Sequence, residues 1–487
     1  MIKKIFSQSI LYFLAMYMPL VANIFILPVI NKFLSTDDYA IYGLTFGYMS
    51  LLAGFGDLGL TSILQNSYFK NKENYKEIWS QFTGFLHLYR ILYGGILAIL
   101  IYFIFKNRIG EENIYLFVAL TGIPVILFDF TKTIGIRLCQ FESKHRLVYI
   151  ATLGSGIITI TTTFVTIYFY KLGFVGWFIA AFLAKAFEFL YYGYYLYYVQ
   201  RIRPNYRFSR ILIWEKIGIS LPLIPKRYSN YLINNSDRAM LDIFRAQFGS
   251  VTLGEIGLYN IGYSFANYFG SFNQAINTVV TPIYFRLFAK DNDKVASHLV
   301  VNLTLLWFSF SLASGFFLCL WLKEILEFLY PKPEFFVAYS YSIFIIMALC
   351  YRPLYVAIID KAIFKEKTKS TMKISLSAGL LNILLNIITI PFMGLHGAIL
   401  SSFVAYVFLG FGAYFMKDFK SFREPLIKPI LLLLYLIGAS LAAYALKDLS
   451  IPHKILISFL LIILAVTWYF IKGKNQITQL NKYRFEE

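Results

Sequence analysis

Several ionisable side chains stand inside stretches of sequence that are otherwise apolar. The basic ones are Arg90, Lys132, Arg137, Lys185, Lys226, Arg227 and Arg352; the acidic ones are Asp57, Asp129, Glu188 and Asp360. A charge held among apolar helices in a bilayer costs at least a few kcal/mol, so each is a functional candidate. Asp129 and Lys132 are three residues apart, as are Lys185 and Glu188. That spacing puts each pair on one helical face, where local neutralisation and a functional role weigh about equally. Arg90, Lys226, Arg227 and Arg352 have no acid at such a spacing. They require an aqueous cavity, an anionic ligand, or an interhelical partner such as Asp57 or Asp360. Guanidinium forks match the oxygens of phosphate-type anions. Arg137, close to the end of its stretch, is expected to snorkel to the interface.

The elements that must carry these residues are membrane helices. Of the 487 residues, 58% are hydrophobic and only 15% charged, against about 45–50% and about 25% in soluble domains. Stretches of about twenty apolar residues, each able to cross a bilayer, number about fourteen. They start near Ile10, Ile41, Phe82, Asn113, Leu147, Phe174, Ile211, Ile256, Ala296, Phe335, Met372, Leu395, Pro429 and Ile455. The N-terminal run from Ile10 to Ile30 is too long for a signal peptide and has no small-residue cleavage site, so it reads as the first span.

Connections are short, the longest outer one running from about Asn234 to Glu255, which leaves no room for a soluble domain. With the N-terminus inside, inner connections hold roughly 28 Lys and Arg and outer ones roughly 10, which predicts cytoplasmic ends. The same bias accounts for the net charge of +19 and makes nucleic-acid binding a poor explanation of it. The cysteines Cys139, Cys319 and Cys350 have no metal-like spacing, and there is no Walker motif, so no cofactor or metal site is expected.

The chain repeats itself. Asp38-Tyr39-Ala40-Ile41-Tyr42-Gly43 matches Glu255-Ile256-Gly257-Leu258-Tyr259-Asn260. Phe141 to Lys144 matches Phe364 to Lys367, and Gly173-Phe174-Val175-Gly176 matches Gly394-Leu395-His396-Gly397. The offset stays near about 220 residues, or six spans, so the halves are parallel repeats, a transporter design with its site near the midplane. Pro19 and Pro222 would bend the first span of each half. The expected fold is all-α: two parallel six-helix bundles in a V, residues 1–200 and 201–420, followed by two further helices and a cytoplasmic tail over 421–487.

Ser35-Thr36-Asp37-Asp38-Tyr39-Ala40-Ile41-Tyr42 with Gly56-Asp57-Leu58-Gly59-Leu60, and Asn235-Ser236-Asp237-Arg238-Ala239-Met240-Leu241 with Gly257-Leu258-Tyr259, resemble the openings of the two halves of Wzx-type bacterial polysaccharide flippases. These belong to the superfamily that also holds multidrug exporters and lipid II flippases. The resemblance implies translocation of undecaprenyl-pyrophosphate-linked oligosaccharide repeat units across the cytoplasmic membrane, for O-antigen, capsule or a related polysaccharide, by ion-coupled alternating access. Arg90, Lys132, Lys185, Lys226, Arg227 and Arg352 would then form a cationic lumen for the pyrophosphate, with the prenyl tail left in lipid. Asp57, Asp129, Glu188 or Asp360 would carry the coupling proton or sodium. Asn382, Asn386 and the row Asn267, Asn273, Gln274, Asn277 could meet sugar, though bonding between helices is the commoner role. The implied partners are the lipid-linked substrate, membrane lipids and a polysaccharide polymerase, around a monomeric transporter rather than an enzyme.

Three other functions are alternatives. A multidrug exporter usually lacks two extra C-terminal spans. A lipid II flippase has a similar span number. A glycan polymerase or glycosyltransferase could use Asp37 and Asp38, but these read as acids at a helix start.

Overall fold

The computed structural model describes residues 24–61, 64, 67–68, 73–142, 144–221, 224–289, 294–424 and 426–468. All regular structure among them is helical. In chain order the helices are α1 Thr36–Ala53, α2 Tyr75–Phe105, α3 Glu111–Phe141, α4 His145–Phe169, α5 Phe174–Val199, α6 Arg210–Ser220, α7 Ile224–Asn234, α8 Ser236–Phe248, α9 Leu253–Ala289, α10 Val295–Leu329, α11 Pro333–Phe364, α12 Lys369–Met393, α13 Leu395–Tyr414, α14 Pro429–Ala445 and α15 Ile451–Trp468. Eight of them, α2 to α5 and α10 to α13, are long and apolar enough to cross a membrane. Of the expected first span, residues 24–30 are described and helical; the rest, with Pro19, lies outside the described residues. So does Pro222, between α6 and α7.

The expected outer connection from Asn234 to Glu255 is instead largely helix α8, stopped by Gly249 in a left-handed conformation (φ 62°). Its buried face contains Ser236, Asp237, Arg238 and Asp242, which depress its hydropathy. That is why it does not read as a buried helix from sequence.

The chain divides into two compact units. The first runs to Tyr228 and includes Leu329–Pro331; the second holds Ser229–Phe328 and the chain from Lys332. The same local devices recur in both. In the first, Ser35 caps α1 and Asp38 reaches back to the Ser35 N–H at 2.7 Å. In the second, Thr252 accepts from the Glu255 N–H and Glu255 takes the Thr252 N–H at 2.6 Å. Both are reciprocal capping boxes, which satisfy donors that a helix start leaves unpaired.

Before α4 and before α12, Lys144 and Lys367 adopt nearly the same conformation (φ −86° in both, ψ 57° and 51°). Their N–H groups reach back to Cys139 and Ala362 at 2.8 Å. Gly173 (φ 54°) and Gly394 (φ 53°) open α5 and α13. A Cβ at Gly173 would sit 2.7 Å from the Asp38 carboxylate, and one at Gly394 2.9 Å from the Ser250 carbonyl, so glycine is required on both grounds.

In the second unit α15 is held against α10 by Lys454, whose fully buried ammonium reaches both oxygens of Glu324 at 2.7 and 3.0 Å.

Candidate functional site

The first unit concentrates its charge around a broken helix. Helix α1 ends at Ala53, and the chain turns through Gly54 to Gly59, with Leu58 (φ 49°) and Gly59 (φ 75°) in the left-handed region. The turn packs halfway along the 31-residue α2, so it lies deep in the bilayer, where each freed carbonyl needs a donor. Tyr89 donates to the Phe55 carbonyl at 2.9 Å, Arg90 Nε to that of Gly56 at 3.2 Å, and Ser220 to that of Leu58 at 2.7 Å. The Asp57 carboxylate takes the Gly59 N–H at 3.1 Å and the Thr61 hydroxyl.

Arg90 has a second task. A wide turn over Pro124–Phe128 in α3 sends the Asp129 N–H to the Pro124 carbonyl, so the Val125 carbonyl loses its usual partner. Arg90 Nη1 fills that place at 3.1 Å, with the guanidinium 5.2 Å from the Phe130 ring centre. Two of its five N–H donors therefore hold backbone, and the sequence-derived role as a ligand cation rests on the rest.

One turn further along α3 the charges pair differently from the sequence expectation. Lys132 Nζ lies 2.5 Å from Glu188 of α5, and Lys185 of α5 lies 3.1 Å from Asp129 of α3. The i, i+3 neighbours thus exchange partners between helices, because α3 and α5 face each other and each lysine meets the opposite carboxylate first. Glu188 is buried at 7%, while the lysine side chains remain about a third exposed. Arg137 is exposed near the end of α3. Lys226 and Arg227 fall on α7, but their side chains lie outside what the structure describes.

In the second unit Arg352 donates to the Gly270 carbonyl at 3.2 Å and to Gln274. Asp360 accepts from Thr281 at 2.7 Å, and Asn277 Oδ1 lies 2.9 Å from the same hydroxyl. The asparagine row divides by face. Asn273 is fully buried and takes Ser311 at 2.9 Å and Trp307 at 3.3 Å, a helix-to-helix contact, whereas Asn267 is exposed.

A further buried polar network was not assembled from sequence. The Asp237 carboxylate, 1% exposed, accepts from Tyr259 at 2.6 Å, Asn386 at 2.7 Å and Ser402. Ser236 donates to Asn382 at 2.9 Å. Next to it Arg238 Nε reaches Asn260 at 2.5 Å, and its guanidinium stands 4.6 Å from the Tyr263 ring centre. Two buried amide atoms in the network, Asn382 Nδ2 and Asn386 Oδ1, have no partner.

A carboxylate at this depth, met by neutral donors, is costly unless a cation or proton joins it. A half-turn of the Asn386 amide would aim its unpaired oxygen at Asp237. With Asn382 Oδ1 and Ser402 Oγ that makes an oxygen set of one negative charge, suited to a hard monovalent cation. The sequence did carry a signal, since Asn382 and Asn386 are four apart and share a helix face. No three-residue cluster of His, Cys, Asp and Glu that could hold a metal exists among the described residues.

The fold is that of the MATE and MurJ transporters. The MatE family model matches residues 240–388. A solved lipid II flippase MurJ in an inward closed conformation is similar at TM-score 0.68 and 18% identity, over 94% of this chain and 99% of that one. An inward-facing multidrug resistance MATE family transporter of the MOP superfamily is similar at TM-score 0.60 and 13% identity, over 91% and 99%. The Vibrio cholerae MATE transporter VcmN follows at TM-score 0.54 and 14% identity, over 85% and 96%. A comparison with curated protein sequences gives no match.

Proposed function

We propose that the chain is an ion-coupled flippase that carries an undecaprenyl-diphosphate-linked oligosaccharide from the inner to the outer leaflet, as Wzx-type proteins do. The observation that carries this reading is the presence of partly exposed cations within membrane helices. Lys132, Lys185 and Arg352 keep part of their charged side chains accessible on α3, α5 and α11. Accessible charge at that depth requires water, and cations there suit a diphosphate. Lys226 and Arg227 join the same set, with Arg90 adding charge from behind its carbonyl contacts.

Asp237 with Asn382, Asn386 and Ser402 is the coupling site of this reading, taking sodium or a proton, in preference to Asp129 and Glu188, whose oxygens hold lysines, and to Asp57 and Asp360, which are less buried. The inner membrane is the location, with both termini cytoplasmic.

The test is a leaflet assay in liposomes carrying the purified chain and a fluorescent undecaprenyl-diphosphate-linked oligosaccharide. Protein-dependent, sodium- or proton-driven exposure of the sugar supports the reading. No movement of that lipid, together with uptake of a cationic dye, would transfer it to the multidrug exporters. Movement of lipid II alone would transfer it to the lipid II flippases.

A further inference from the structure

Helix α9 has 37 residues, yet it is not among the eight helices apolar enough to qualify as spans. Its position leaves no doubt about depth. It runs parallel to the membrane helix α11, with Gly262 against Ala338 and Ser342, Gly270 against Leu349, the Gly270 carbonyl on Arg352, and Thr281 on Asp360.

At about 100° per residue, Asn267, Ser271, Gln274, Thr278 and Thr281 fall within one sector of roughly 80°. Asn267 and Thr278 are exposed and the other three half-buried. Roughly a third of a turn away on the same helix, Phe272 (42%) and Val279 (65%) form an exposed face that is apolar. One helix at one depth therefore presents two different solvents with two different faces. Lipid suits Phe272 and Val279; the Ser271 and Thr278 hydroxyls are met by the Asn267 and Ala275 carbonyls, but side-chain amides such as those of Asn267 and Gln274 cannot be left against hydrocarbon.

We propose that the Asn267–Thr281 face of α9 is a water-exposed track that binds the glycan part of the substrate. Resting on the flippase reading above, the track assigns the sugar to neutral amides and hydroxyls, beside the Arg352 guanidinium. Side-chain amides and hydroxyls both donate and accept, as sugar hydroxyls do, and a ladder of them over about 20 Å tolerates varied sugars. The partial use of Thr281 by Asp360 and of Gln274 by Arg352 fixes the lower rungs in place.

Two experiments on the full chain in membranes decide this. In the first, single cysteines replace Asn267, Thr278 or Val279 and are treated with a charged methanethiosulfonate. The native Cys139, Cys319 and Cys350 are buried. Asn267→Cys and Thr278→Cys should react, and Val279→Cys, exposed to lipid, should not. Failure of the first two, or equal reaction of the third, overturns the track.

In the second, the purified protein is titrated with undecaprenyl diphosphate and with an undecaprenyl-diphosphate-linked trisaccharide. The wild type should prefer the trisaccharide. The double variant Asn267→Leu, Thr278→Val, which leaves Gln274 on Arg352, should lose about tenfold on the trisaccharide and nothing on bare undecaprenyl diphosphate. A preference that survives the substitutions overturns the glycan track and leaves the flippase reading standing. A wild type that binds neither lipid overturns both.

Discussion

Lys132 of α3 holds Glu188 of α5 at 2.5 Å, while Lys185 of α5 holds Asp129 of α3 at 3.1 Å, so two ion pairs cross between the same two helices in opposite senses. The pairs differ in burial, and that difference sets what each contributes. Lys132→Met strands a carboxylate that is 7% exposed and should cost about 3 kcal/mol. Lys185→Met frees an Asp129 side chain that is 28% exposed and should cost less than about 1 kcal/mol. Unfolding in detergent measures both. Equal losses would contradict the assignment, and Glu188→Gln should restore most of what Lys132→Met removes.

Sodium should stabilise the protein through Asp237. A ligand that binds only the folded state at about 100 times its dissociation constant adds about 2.7 kcal/mol. Replacing choline chloride by sodium chloride should therefore raise the unfolding midpoint by several degrees. In Asp237→Asn that rise should vanish. An undiminished sodium response in the variant would remove Asp237 from the coupling site, and a wild type stabilised by acid but not by sodium would make the proton its ligand.

Arg90 should behave as a clamp on the broken helix as well as a source of charge. Arg90→Ala leaves the Gly56 and Val125 carbonyls unpaired in a buried setting, at about 1–3 kcal/mol each. Arg90→Lys keeps the charge, but one ammonium on a single stem cannot copy the fork. It should unfold nearly as readily as Arg90→Ala. Wild-type stability in Arg90→Lys would show that charge alone is required there.

The two capping boxes should not be equally costly to remove. Glu255→Ala loses the contacts to Thr252 and should cost about 1 kcal/mol. Asp38 also accepts the Phe174 N–H at 2.9 Å, tying α1 to the start of α5. Asp38→Ala should therefore cost about twice as much by the same scale. The reverse order of unfolding midpoints would contradict this.

The hydropathy and spacing of the chain already contain the helical architecture, the repeated landmarks and the intramembrane charges. The Asp38 and Glu255 boxes are visible because capping is local chemistry, settled within four residues. The partner exchange at Lys132 and Lys185 is not visible, because i, i+3 geometry says which residues share a face and nothing about the helix opposite. Asp237 was hidden for a different reason. Its helix is too polar to read as membrane-embedded, and its partners Tyr259, Asn386 and Ser402 come from three other helices. Only tertiary packing brings them together. Asn273 and Asn267 differ from these cases, since residues six apart stand about 120° from each other on a helix and spacing alone separates the buried one from the exposed one.

Gly173 and Gly394 keep the same left-handed φ to within a degree of each other, and Lys144 and Lys367 the same bend. Around these shared corners the interiors are unlike. One unit holds crossed ion pairs between α3 and α5, the other a buried acid met by amides and hydroxyls. The repeat is thus kept at its corners and not in its contents. Interior side chains of one half can then be replaced with the corners of both left as they are.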